Sequence, residues 1–191
     1  MTKLFYIAMI FSYLIANPID TWVDKNKDII DKKIKSVTFQ IIINSHLALE
    51  KNKILDGNII IGENKKFRFE IGPRTVVSDG TLWKSYDYRT DQVFIQEPDR
   101  KFEKILFSWI NVKKLKALPV KKTLDGSYRI KFFGKDNEVR AYLNSDTNIL
   151  DSIIISNQKS FKSKIFNISI FATDSMILDI GTDTSTMFDL R

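Results

Sequence analysis

Lys66-Phe67-Arg68-Phe69-Glu70-Ile71-Gly72-Pro73-Arg74-Thr75-Val76-Val77-Ser78-Asp79-Gly80-Thr81-Leu82-Trp83 is the stretch whose reading decides the fold. Phe67, Phe69 and Ile71 alternate with Arg68 and Glu70, a period of two that sends apolar side chains to one face of a strand and charges to the other. Asp79-Gly80 then supplies turn chemistry, and Leu82–Tyr86 resumes an extended pattern, so the stretch reads as short strands joined by antiparallel turns.

Outward from that block the same period recurs. Phe39, Ile41 and Ile43 mark a strand from Val37 to Leu47, and Asn58–Ile61 and Gln92–Gln96 add two more. Asp56-Gly57 and Asn64-Lys65 read as turns between these strands. Phe102, Ile105, Leu106, Trp109 and Ile110 fall at helical spacing, so a helical segment over Phe102–Leu115 interrupts the sheet until Pro119. Strands are predicted again at Tyr128–Phe133, Glu138–Asn144, Ile149–Ser156 and Phe161–Phe171, with one or two short ones in Met176–Leu190. Upstream, Thr21-Trp22-Val23-Asp24 matches a capping box, and Trp22, Ile29, Ile30 and Ile34 predict an amphipathic helix over Asp20–Lys35. The reading is α+β, mainly β: about ten strands in one antiparallel sheet, which must curl or close as twist accumulates. Two helical segments leave more apolar sheet than they cover, and the surplus predicts an apolar cavity.

Composition narrows the chemistry. The chain has 191 residues with no Cys and one His, which removes disulfides, thiolate metal sites, cysteine catalysis and histidine metal clusters. Its net charge is +7, but the lysines are scattered, which does not favour nucleic acid as a partner. No Gly-x-Ser-x-Gly elbow, phosphate-binding glycine loop or His-Glu-x-x-His motif occurs. His46 stands on the polar side of its strand, and the acidic pairs Asp87/Asp91 and Asp174/Asp179 lie in loops. The expectation is a non-enzyme with no metal and no cofactor.

Met1-Thr2-Lys3 precedes an apolar run, Leu4–Ala16. That length falls within the ~7–15 residues of a signal-peptide core and short of the ~20 needed to span a bilayer. Residues 1–16 are therefore read as a signal peptide, and 17–191 as one exported domain.

Phe67-Arg68-Phe69, Ser78-Asp79-Gly80-Thr81-Leu82-Trp83 and Tyr86-Asp87-Tyr88-Arg89-Thr90-Asp91-Gln92-Val93, together with Gly57, resemble the periplasmic outer-membrane lipoprotein carrier family, the LolA-like proteins. The order of elements is similar over the whole exported domain, and the central block is the specific part. The resemblance implies an unclosed, strongly curved antiparallel sheet, a half-barrel with a helical lid over an apolar cavity. It implies a monomeric periplasmic carrier, or chaperone, that shelters lipoprotein acyl chains. The implied partners are the acylated lipoprotein cargo, an inner-membrane lipoprotein-releasing ABC transporter and an outer-membrane receptor. Phe39, Ile41, Phe67, Phe69, Trp83 and Phe132 would line the cavity; Trp22, Ile29, Ile30, Leu106 and Trp109 would form the inner side of the lid. Two departures stand out: the family's Arg-Pro pair before the central strand is Glu63-Asn64 here, and Ile180-Gly181-Thr182 stands where a C-terminal proline pair is expected. The competing expectation is a lipid- or lipoprotein-sensing interaction module of the same fold. A third, an exported hydrolase, has no catalytic constellation behind it.

Overall fold

The computed structural model describes residues 17–45, 53–100, 103, 107, 116–132, 137–147, 149–157, 161–180 and 186–191. The predicted signal peptide, His46, Leu106 and Trp109 lie outside them. Two helices, α1 (Pro18–Lys25) and α2 (Lys27–Ile30), precede the strands. These are β1 (Lys35–Ser45), β2 (Ile54–Ile61), β3 (Phe67–Ile71), β4 (Arg74–Ser78), β5 (Trp83–Asp87) and β6 (Gln92–Gln96), then β7 (Val120–Lys122), β8 (Tyr128–Phe132), β9 (Asn137–Leu143), β10 (Leu150–Asn157), β11 (Phe161–Ala172) and β12 (Thr186–Asp189). All twelve form one open sheet in the order β12-β6-β5-β4-β3-β2-β1-β11-β10-β9-β8-β7. The chain therefore builds two meanders, β1–β6 and β7–β11, and seams them by pairing its first strand with its eleventh.

The N-terminal helix starts earlier and ends sooner than the capping box suggests. Asn17 is the N-cap, its Oδ1 accepting from Ile19 N at 3.1 Å, and Pro18 occupies the first helical turn, where a missing N–H costs nothing. Asn26 closes the helix, its side-chain amide donating to the Trp22 carbonyl at 2.8 Å. One further turn, α2, precedes β1, so residues predicted as one long helix give two short ones and the first residue of a strand.

Asp56-Gly57 is a second correction, because both residues lie inside β2. The Phe39 ring lies across Gly57: a Cβ there would stand 2.3 Å from Phe39 Cζ. Glycine is placed here to admit a cross-strand aromatic ring, and no turn is involved. The other turns follow their chemistry. Asn64 and Lys65 take positive φ values of 55° and 61° between β2 and β3, and Gly80 (φ 101°) sits in the β4–β5 turn against the Asn64 carbonyl.

The sheet is not wholly antiparallel. Twelve strands are present against the ten or so expected, the short β7 among the additions, and β12 pairs in parallel with β6, Phe188 opposite Phe94. Residues 173–180 lead there from β11. Arg68, on the face of β3 opposite the Phe67 side, donates from Nη1 to the carbonyls of Ile177 (3.3 Å) and Asp179 (3.0 Å). Met176 Cε lies 2.7 Å from where a Gly62 Cβ would stand. The segment thus runs over the outer face of the first meander to reach its far edge.

On the helix-side face the core falls into two clusters. Ile19, Trp22 and Val23 of α1 pack on Ile130, Val139, Ala141, Leu143, Leu150 and Ile153 of the second meander. Ile61, Phe67 and Trp83 form the core of the first, with Ile59, Phe69, Val76 and Phe107 packed against them. Among the described residues no helix is long and apolar enough to cross a membrane.

Candidate functional site

Register brings the predicted lining residues to one face. Ile59 pairs with Phe69, Ile61 with Phe67, Phe39 with Gly57 and Ile41 with Leu55. In the next strand pairs Phe67 stands opposite Ser78, and Ser78 opposite Trp83. Phe39, Ile41, Phe67, Phe69 and Trp83 therefore project to the helix side together. On the other side of the seam Ile41 pairs with Ile165, which pairs with Ile153, so the apolar face continues from one cluster into the other. Phe132 occupies the position opposite Val139 in the β8–β9 pair.

These side chains do not share one environment. Phe67 is fully enclosed, edge-on to Trp83 at 5.3 Å between ring centroids and 6.3 Å from Phe107. Phe39 and Ile41 are buried, and Phe69 is half-buried. Phe39 and Phe69 stack at 6.4 Å with planes 12° apart, the glycine at position 57 leaving room for the pair. Phe67 and Trp83 thus read as packing, and Phe69 as the aromatic that still meets solvent. Of the predicted lid, Trp22 is buried on the second meander and Ile30 packs against that same cluster, while Ile29 is half-buried. A helical cover over Phe69 is not seen among the described residues.

Polar contacts fix the rim of this face. In the β4–β5 turn, Asp79 Oδ1 accepts from Thr81 N (2.7 Å), Thr81 Oγ1 (2.7 Å) and Leu82 N (2.9 Å). The Leu82 amide first, then the Thr81 hydroxyl and amide, hold its carboxyl down to about 2. At the other end Asp87 is buried, Arg74 Nε at 3.1 Å and Arg89 Nη2 at 3.1 Å donating to Oδ2. These bonds, Arg89's foremost, keep its carboxyl far below the ordinary carboxylate range. Glu63, the family-arginine position, is exposed and 3.7 Å from Lys33. A different contact ties the helical segment to the sheet rim. Buried Glu103 accepts from Arg100 at 3.0 Å and lies 3.6 Å from Lys65 in the β2–β3 turn, a link that no local sequence signal marks. Asp91, by contrast, accepts from the Tyr86 hydroxyl at 3.1 Å, and no group of three metal-ligating side chains occurs among the described residues.

No protein-family model and no curated protein matches this chain. Among solved structures it is similar to an uncharacterized conserved protein from Thermus thermophilus, at 12% identity, with a TM-score of 0.50 over 90% of this chain and 96% of that one. That likeness shows a shared fold. A LolA superfamily protein from Nitrosomonas europaea matches at 10% identity and a TM-score of 0.39, over 84% of this chain and 96% of that one. MucB, in complex with MucA(peri), matches at 11% identity and 0.31, over 82% of this chain and 57% of that one. The last two scores are too low to carry an argument about function.

Proposed function

We propose that the chain is a periplasmic carrier or chaperone that shelters lipoprotein acyl chains between the inner and the outer membrane, without covalent chemistry or cofactor. The observation that carries this reading is the apolar helix-side face, which continues across the β1–β11 seam from one cluster into the other. The Phe39–Phe69 stack lies on it, with Phe69 half-open to solvent. Each acyl CH₂ left in water costs about 0.8 kcal/mol, so a lipoprotein with long chains requires such a shelter in an aqueous compartment. In this reading the cargo arrives from an inner-membrane lipoprotein-releasing transporter and leaves to an outer-membrane acceptor.

Native mass spectrometry of protein taken gently from the periplasm of its source, followed by lipid release, tests it. Co-purified acylated protein or lipid is the expected result, as is binding of a fluorescent acyl probe that Phe69→Glu abolishes while the fold persists. An empty protein that ignores the probe would sink the reading.

A further inference from the structure

The outer face of the second meander carries a row of cations that no described helix covers. In register, Lys121 stands opposite Arg129, and Lys131 opposite Arg140; Lys164 and Lys162 follow on β11. Directly opposed like charges on a sheet are destabilising unless something neutralises them. Glu138 does so for two, lying 2.7 Å from Lys131 and in contact with Arg140. Lys121, Arg129, Lys162 and Lys164 have no carboxylate partner among the described residues, and Asp56 at the margin is bonded to Gln40. Among the described residues placed in register, six cations and two carboxylates share this face, with exposed Asp151 at the β10 bulge beside it, in a chain whose net charge is +7.

The cations are interleaved with apolar groups. One row across the sheet reads Lys131, Arg140, Ile154, Lys164, Ile42, Ile54, and Ile54 is 52% exposed. The next row places Tyr142 and Phe166 on the same face. At ~4.8 Å per strand, six strands make an array about 24 Å wide. A single extended acidic segment contacts a line; this array is two-dimensional, and its mixture of cations and short apolar side chains matches a headgroup layer, with phosphates above and acyl carbon just beneath.

We propose that this face docks the protein on an anionic phospholipid surface. The proposal stands independently of what the helix-side face binds. The experiment is sedimentation of the full chain with vesicles of phosphatidylcholine alone or mixed with phosphatidylglycerol, at low and high salt. Phosphatidylglycerol-dependent binding that high salt abolishes is expected. The pair Lys162→Gln/Lys164→Gln should lower that partition about 25-fold, at about fivefold per cation removed. Lys84→Gln, on the outer face of the first meander, should leave it unchanged. Arg129→Gln, expected to lose about fivefold, serves as the second variant should the pair fail to fold. The apolar run Leu4–Ala16 is common to every variant and cancels from the comparison. Equal binding to both vesicle types, or wild-type partition by the folded charge variants, would overturn the proposal. So would capture by soluble polyglutamate under conditions where vesicles do not bind, which would assign the face to an acidic protein segment.

Discussion

The two meanders use the same strand chemistry and are sealed differently. The second buries six of its residues beneath three from α1 on its helix side, and its outer side is cationic among the described residues. The first has three buried aromatic and aliphatic residues in its helix-side cluster. On its outer side Arg68 holds the 173–180 segment, and Thr75, Val77 and Val93 are buried. A sheet with one wet face shows clean alternation; the first meander departs from it by burying residues on both faces, Phe67 and Trp83 on one and Val77 and Val93 on the other. Cover, more than strand composition, decides what each half presents to solvent.

The sharpest way to break this contrast is Phe67→Ala. Phe67 is the fully enclosed ring of the smaller cluster, so the substitution should cost about 3–5 kcal/mol in chemical denaturation. A loss below about 1 kcal/mol would show that the first meander's helix-side cluster is not a core at all. Gly57→Ala comes next. Its Cβ would enter the Phe39 ring, and overpacking of that kind costs about 1–3 kcal/mol; adding Phe39→Ala should return part of the loss in a double-mutant cycle. Arg68→Met should cost about 1 kcal/mol, because it releases hydrogen bonds to two carbonyls of the crossing segment. Its signature is faster amide exchange at Thr186 and Leu190, which donate to Asp91 and Ile95 on the edge of β6; unchanged exchange would mean that the segment is held by other contacts.

The smallest effect is acid-dependent. Asp79 has a carboxyl held at about 2 in the fold, below the ~3.9 of an unfolded aspartate. Its contribution is therefore complete above the unfolded value and is lost as pH falls through about 2. Asp79→Asn should flatten the acid limb of a stability curve between those values without moving it at neutral pH by more than the loss of a turn contact. An unaltered acid limb would place the titration elsewhere.

Much of the sheet was legible because alternation is local. Phe67-Arg68-Phe69-Glu70-Ile71 gives its strand and its faces without reference to any partner, and the register then gathers Phe39, Ile41, Phe67, Phe69 and Trp83 on the same side. What failed depended on distant neighbours. Asp56-Gly57 has turn chemistry, yet its glycine answers to Phe39 in another strand. The parallel pairing of β12 rests on the route of the 173–180 segment, which no period records. The helix start at Asn17-Pro18 was not predicted, because the Thr21–Asp24 capping-box pattern pointed further along the chain. For the site, spacing grouped Trp22 with the apolar face but could not say which half a helix would cover. The Glu103–Lys65 link joins residues whose separate contexts look like ordinary surface.

The seam also sets an order of events. Each meander can pair its strands as neighbours in sequence, but Lys35 finds Ala172 only after nearly the whole chain is available. Contacts this far apart close slowly, because the entropy of the intervening loop is spent before the pairing returns anything. A chain released a residue at a time would hold the first half-sheet with β1 as an unmatched edge until its final third, which carries β8–β11, arrived. During that interval β1 is the place where a second copy could pair in the wrong partner's stead, and dilution rather than cooling is the remedy that geometry recommends.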